Sequence, residues 1–343
     1  MPPTTRPASP PGKPPNSTRP PTRSTSTPPI RIRRTPTPRP NDGTRRTRLT
    51  TLAGGESLVR ARCARPEAVM NQVAAYRDRG YAIVRGVFSK DEIKRIGEAI
   101  DAVHAEGVAH GRPFRHGNLF YNVRAGEDGT PIVPMVQWPS YHNRVLDSVR
   151  LDPRWLDLLA PLIGTDLKQI INQLHWKAPG SKGDFAWHQD SRFRKPDAAY
   201  RNLGESYIQT GLAIDQHTRA SGAMRMIPNS HRAGPLALDT STEVLGTEMS
   251  DDWLRDAGID PADVIDLEME PGDIAMWNPY LVHGSGRNSA DHQRRLYING
   301  YVRAQDCDRG EWAFRDGKPV PLGPEPVLVH YEALHENPEP HYV

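Results

Sequence analysis

Residues 167 to 191 read Leu-Lys-Gln-Ile-Ile-Asn-Gln-Leu-His-Trp-Lys-Ala-Pro-Gly-Ser-Lys-Gly-Asp-Phe-Ala-Trp-His-Gln-Asp-Ser. An apolar run with interspersed polar residues predicts a strand over 167–178, Pro179 and Gly180 break it, and a second strand is predicted over 185–191. The same rhythm of short strands parted by Gly, Pro, Asn and Asp returns at 207–215, 222–228, 263–269, 273–277 and 294–303. Strands at this frequency predict a β-sandwich or a barrel-like jelly roll. No internal repeat and no βαβ alternation is seen, which argues against a Rossmann-type sheet.

Upstream the period changes to helical. Residues 66–79 place Val69, Val73 and Tyr76 on one side, and Gly80 ends the pattern. Tyr81 to Val87 is a short apolar strand. Ser89 followed by Glu92 forms a capping box for a helix to about residue 106, with Ile93, Ile96, Ile100 and Val103 as its buried stripe. A further helix is predicted over 152–163.

The first 50 residues differ from the rest of the chain. They hold 14 Pro, 10 Arg, one Lys and a single acid, Asp42, so the remaining 293 residues carry 33 basic and 40 acidic side chains, a net charge of −7. The pI of 8.8 therefore belongs to an N-terminal arm over residues 1–55, which is too poor in apolar residues to fold and is read as disordered. The clustered arginines, Arg31, Arg33, Arg34, Arg45, Arg46 and Arg48, would suit an anionic partner. With no aromatic residue among them to stack on bases, a solvated extension is the preferred reading over a nucleic-acid tether. The prolines also oppose the amphipathic helix of an organelle-targeting peptide. No window is apolar for the length of a membrane span, and two cysteines, Cys63 and Cys307, cannot form a disulfide framework. A single domain over residues 56–343 in a reducing, cytoplasmic compartment is expected.

Trp187-His188-Gln189-Asp190 is the sharpest chemical signal. Alternation along a strand puts His188 and Asp190 on one face and Gln189 on the other. An imidazole and a carboxylate on a common face can be two ligands of a divalent metal, with His283 as the best third. Taken alone, the pair is better read as a surface ion pair, and His283 as a satisfied core histidine. Arg294, eleven residues beyond His283, changes the balance, because a guanidinium grips a carboxylate in two places and Ser285 can add a hydroxyl donor. Arg295 should face the other way and form an ordinary ion pair.

These stretches resemble the phytanoyl-CoA dioxygenase (PhyH) family of Fe(II)- and 2-oxoglutarate-dependent oxygenases. The match is carried by Lys177-Ala-Pro-Gly180 with Trp187-His-Gln-Asp190, by Ser221 to His231, by Pro271-Gly-Asp273 with His283-Gly-Ser285, and by Asn288 with Arg294. It extends from about Ala75 to Ala304. The resemblance implies a double-stranded β-helix, a cupin-like jelly roll, with flanking helices. It also implies that His188, Asp190 and His283 ligate iron, that Arg294 anchors 2-oxoglutarate with help from Ser285, and that Gln173 contacts the co-substrate. O2 would be the oxidant. Three positions depart from the family pattern: Asn229 replaces a turn glycine, Gly211 replaces a tryptophan, and Ala290 replaces a serine. A carboxylate at 190 implies hydroxylation, since related halogenases carry a small residue there.

Other residues are read more plainly. His231 is expected to be a turn residue, and His330, His335 and His341 to be solvated. His175 and Trp176 either line the pocket or pack the strand. At most one of Phe120 and Tyr121 reaches a cavity. The expected function is hydroxylation, desaturation or cyclisation of a small organic molecule, as in a biosynthetic tailoring step, with selectivity residing in the loops 193–205 and 236–260. A non-catalytic metal-binding jelly-roll module or sensor is the competing reading. Oligomeric state is not addressed by the sequence.

Overall fold

Helix α1 (Pro66–Arg79) stops where the glycine predicts: Gly80 takes φ 82° and returns its N–H to the Tyr76 carbonyl. The computed structural model describes residues 66–126, 128–181, 183–236, 244 and 249–327. All of them lie within one unit defined by backbone contacts, Val59–Val343. The Pro/Arg-rich arm, the three C-terminal histidines and residues 237–243 and 245–248 of the 236–260 loop fall outside the described residues.

Helix α2 (Lys90–His110) has both hydrogen bonds of the Ser89/Glu92 capping box and runs one turn past the expected end, to a left-handed Gly111. Its stripe of Ile93, Ile96, Ile100 and Val103 is buried. At about 1.5–3 kcal/mol per aliphatic side chain, that stripe anchors the helix. Helices α3 (Arg144–Arg150) and α4 (Pro153–Ile163) follow, with Asp152 capping α4 through the Arg154 N–H. They share one core cluster with α2 and with Tyr297 and Tyr301 of the large sheet.

The strands are β1 (Tyr81–Val84), β2 (Phe114–His116), β3 (Leu119–Ala125), β4 (Pro131–Gln137), β5 (Leu167–Lys177), β6 (Phe185–His188), β7 (Tyr207–Ala213), β8 (Met224–Met226), β9 (Ile265–Asp266), β10 (Ile274–Trp277), β11 (His283–Ser285), β12 (Arg294–Arg303), β13 (Glu311–Arg315) and β14 (Lys318–Pro319). One sheet runs β1-β10-β7-β12-β5-β4-β3-β2, with β13 on β5 and β14 on β13, and the other runs β6-β11-β8-β9. Every pairing between these strands is antiparallel. Met224 and Met226 of the small sheet share a core cluster with Leu296, Ile298 and Trp277 of the large one. This is the jelly roll expected from the strand rhythm, with helices outside.

Several strands are shorter than predicted. β1 ends at Val84 because Gly86 turns at φ 60° and the Asp273 carboxylate takes both its N–H and the Arg85 guanidinium. The run 222–228 contracts to three residues, and 263–269 to two plus an isolated bridge between His217 and Met269. Asn229 adopts φ 67°, so the turn before His231 survives without glycine.

Candidate active site

Between the sheets lies a cavity of about 470 Å3. On its large-sheet wall, Phe120, Gln137 and Gln173 stand side by side on β3, β4 and β5, and so do Asn122, Met135 and His175. The small sheet supplies the facing wall, where β6 and β11 place His188 directly opposite His283, with ring centroids 4.2 Å apart.

Asp190 joins the imidazoles by a different route from the one predicted. β6 stops at His188, and Asp190–Phe193 winds into a 3-10 helix, so a turn and not strand alternation delivers the carboxylate. The three ligand atoms lie within 4.8 Å of one another and all three residues are buried. His188 Nε2 is 4.0 Å from Asp190 Oδ1, and His283 Nε2 is 3.7 Å from Oδ2. Gln189 does point away, donating to the carbonyls of Gly234 and Tyr280.

The protons are placed by hydrogen bonding. His188 Nδ1 donates to the Ala186 carbonyl at 2.8 Å, and His283 Nδ1 to the Leu281 carbonyl at 2.9 Å. A carbonyl only accepts, so each Nε2 keeps a bare lone pair facing the cluster. Burial, followed by the neighbouring His283, lowers the His188 pKa to about 3 and keeps the ring in the neutral, ligating form. Burial alone would raise Asp190, but the two imidazoles, Arg194 and the Trp277 indole outweigh it and hold the carboxyl below its ordinary range. Two neutral imidazoles and one ionised carboxylate with lone pairs turned inward fit a divalent metal, and three protein donors leave positions open.

Arg294 lies along the same cavity, 2% exposed. Its Nη2 donates to the Gly222 carbonyl at 2.6 Å, while its buried Nε has no partner among the described residues. Gly222 is required there: at φ 72°, a Cβ would lie 2.6 Å from the Gly286 carbonyl oxygen. Lys177 sits opposite Arg294 in the β5–β12 ladder, fully buried, and donates to Ser285 Oγ at 2.7 Å and to the Gly286 carbonyl. Burial, then repulsion from Arg294, lowers the Lys177 pKa to about 6, and burial lowers Arg294 to about 10. No carboxylate lies within ion-pair distance of either cation among the described residues. Arg295 faces the other way, as expected, and pairs with Asp215 and Asp101.

The remaining predicted residues divide between cavity and core. Gln173 and His175 both line the cavity and hydrogen-bond each other at 3.1 Å, whereas Trp176 packs in the core against His104. Phe120 reaches the cavity, and Tyr121 is buried in the helix-side core. His231 lies on a short 3-10 helix beside Gly80, remote from the cluster. Asn288 ties the β11–β12 turn to the Lys177 and His292 carbonyls.

The sequence profile of the phytanoyl-CoA dioxygenase (PhyH) family matches residues 76–296, well over half of the chain. The chain belongs to the phytanoyl-CoA dioxygenase family. A probable alpha-ketoglutarate-dependent hypophosphite dioxygenase from Stutzerimonas stutzeri is 25% identical over 238 residues, covering 68% of this chain and 78% of that one. Dioxygenase lolE1 from Epichloe uncinata is 27% identical over 162 residues, 47% of this chain and 54% of its own length. The crystal structure of the non-haem alpha-ketoglutarate-dependent carbocyclase SnoK from nogalamycin biosynthesis superposes with a TM-score of 0.52 at 18% identity, covering 75% of this chain and 95% of SnoK. This phytanoyl-CoA dioxygenase family member is thus a non-haem iron oxygenase that uses 2-oxoglutarate and O2 on a small-molecule substrate. Among the described residues, no helix is long and apolar enough to cross a membrane.

Sequence reasoning singled out Lys177 only as a motif residue and overlooked Trp277, Arg194 and Gln137. Lys177 is disclosed by ladder register, and Trp277 by its Nε1–H bond of 2.8 Å to Asp190 Oδ2. Arg194 lies over the Tyr207 ring at the cavity edge. None of these relationships has a signature in local spacing.

Proposed function

We propose that His188, Asp190 and His283 hold the ferrous ion, and that Arg294 grips the distal carboxylate of 2-oxoglutarate. Ser285 assists that grip, and Gln173 contacts the co-substrate. The reading rests on one observation: two bare Nε2 lone pairs and a carboxylate converge within 4.8 Å along a cavity that also holds a buried guanidinium with no counter-ion among the described residues.

When bound, the iron with 2-oxoglutarate and O2 would supply the oxidising power, one oxygen atom ending in succinate as CO2 leaves and the other in a hydroxylated substrate, or in water where two hydrogens are removed by desaturation or cyclisation. The chain contributes orientation. Arg294 fixes one end of the diacid, and because Ser285 Oγ accepts from Lys177, its own proton is free to be donated into the cavity. The two Nδ1–carbonyl bonds hold the imidazoles in their ligating tautomer. Phe185, Phe193, Met224 and Val244 keep the cavity walls apolar and limit water.

Cavity size bears on the substrate. The ten heavy atoms of 2-oxoglutarate, at no more than the about 30 Å3 a water occupies, fill at most about 300 Å3. At least about 170 Å3 of the 470 Å3 is then left, well beyond an ion with three heavy atoms such as hypophosphite. We therefore assign a larger organic substrate, hydroxylated, desaturated or cyclised in a biosynthetic tailoring step. Residues 56–343 are assigned as the catalytic domain, and a chain with only two cysteines, Cys63 and Cys307, is assigned to the cytoplasm.

Succinate formation from 2-oxoglutarate with added ferrous ion tests the reading. Iron-dependent succinate is expected even without substrate. Stoichiometric iron binding with no succinate would leave a binding module or sensor instead.

A further inference from the structure

Substrate recognition is unassigned by the iron cluster and the Arg294 end of the cavity. Gln137 closes β4, flanked across the sheet by Phe120 and Gln173. It is 8% exposed, lines the cavity, and its buried Oε1 has no hydrogen-bond partner among the described residues. The other amides of the cavity are engaged. Gln173 is hydrogen-bonded to His175, Asn122 accepts from Arg124, and Gln209 accepts from Tyr207. Buried polar groups are nearly always paired, so an amide held without a partner on a cavity wall points to a ligand.

Gln137 stands beyond the residues assigned to the co-substrate. From Arg294 to Gln137 the ladder crosses two strand spacings and four residues along β12, since Ile298 is opposite Gln173 and Gln173 opposite Gln137. That is about 16 Å between the two backbones over the sheet, with Gln173, the amide assigned to the co-substrate, lying one strand nearer. The Gln137 amide therefore falls to the substrate.

A carboxamide offers a donor and an acceptor side by side, and the matching partner presents the same pair reversed. Phe120 stands beside it across the β3–β4 ladder, and Phe185 and Phe193 also line the cavity. Flat apolar surfaces beside one amide suit a ring whose edge carries both N–H and C=O.

We infer that Gln137 is the substrate-recognition residue and that it reads the N–H/C=O edge of a lactam-type, ring-bearing substrate. This rests on the oxygenase reading above. The probes are 2-quinolone and N-methyl-2-quinolone, titrated calorimetrically into anaerobic full-length holoenzyme loaded with ferrous ion and 2-oxoglutarate. The lactam should bind about tenfold or more tightly than its N-methyl form, and Gln137→Met, close to isosteric, should erase that preference. No binding of the lactam, equal affinities in the native protein, or a preference surviving in the variant would overturn the inference. Succinate formation without probe, measured in parallel on the native protein, reports separately on the oxygenase reading: its absence removes that reading, whereas its presence with no lactam preference removes only this one.

Discussion

Trp277 Nε1 donates to Asp190 Oδ2 at 2.8 Å, tying the carboxylate of a short 3-10 turn to the end of β10 in the large sheet. The carboxylate has already left β6, so this bond, and not strand geometry, sets its orientation toward the imidazoles. Outer partners of this kind typically contribute tenfold to a hundredfold in metal affinity. Trp277→Phe should weaken ferrous binding by about that factor while retaining the fold, as measured by metal titration under anaerobic conditions. Native affinity in the variant would detach the indole from the site.

Asp190→Ala removes the only carboxylate of the cluster. Succinate formation should disappear, and far-ultraviolet circular dichroism should be unchanged, because among the described residues the side chain bonds to Trp277 and to no backbone group. A variant with the native rate would refute the ligand assignment.

Arg294 and Arg295 are neighbours with opposite duties, and paired substitutions should separate them. Arg294→Met should raise the KM for 2-oxoglutarate by about 30-fold or more, the scale of losing a buried charge partner. Arg295→Met breaks the two-pronged pair with Asp215, at 2.9 and 2.8 Å, and the 2.7 Å contact with Asp101. It should cost about 3 kcal/mol in urea unfolding and leave the KM for 2-oxoglutarate unchanged. The opposite pattern would show that the β12 face had been read backwards.

Acid should destabilise the metal-free fold before its carboxylates titrate. Burial lowers His175 to about 3, and lowers His217 well below the ordinary 6.5. Between those values the unfolded chain binds protons that the folded chain refuses, so stability is complete above pH 6.5 and declines as pH falls. The slope is about 1.4 kcal/mol per pH unit for each imidazole. Glu92, held at about 2 by its hydrogen bond to Arg154, adds a second decline beginning near its ordinary 4.5. Urea midpoints measured from pH 6.5 down to 4.5 should fall steadily. A flat profile over that interval would contradict the buried neutral histidines.

Long elements were legible because their pattern persists. β12 has the predicted bounds, β5 ends one residue early, and α1 and α4 end where Gly80 and Gly164 turn the chain. The Ser89/Glu92 cap was visible because its chemistry is local. β8 and β9 were overestimated, since β9 meets only β8 at the edge of the small sheet and lateral pairing leaves no mark in the sequence. The three residues singled out in the sequence do meet in space, but not by strand alternation, since Asp190 arrives by a turn. Lys177 and Gln137 escaped because their significance lies in what stands across the ladder.

Phe193 closes the 3-10 turn that Asp190 opens, sits edge-on to the His188 ring at 5.9 Å, and is 42% exposed at the cavity rim. Doorway and metal grip are thus cut from one four-residue piece of chain. Grafting a foreign loop from residue 193 onward to retune selectivity will disturb the proposed iron site as well, so specificity is better re-engineered from the β3–β4 wall.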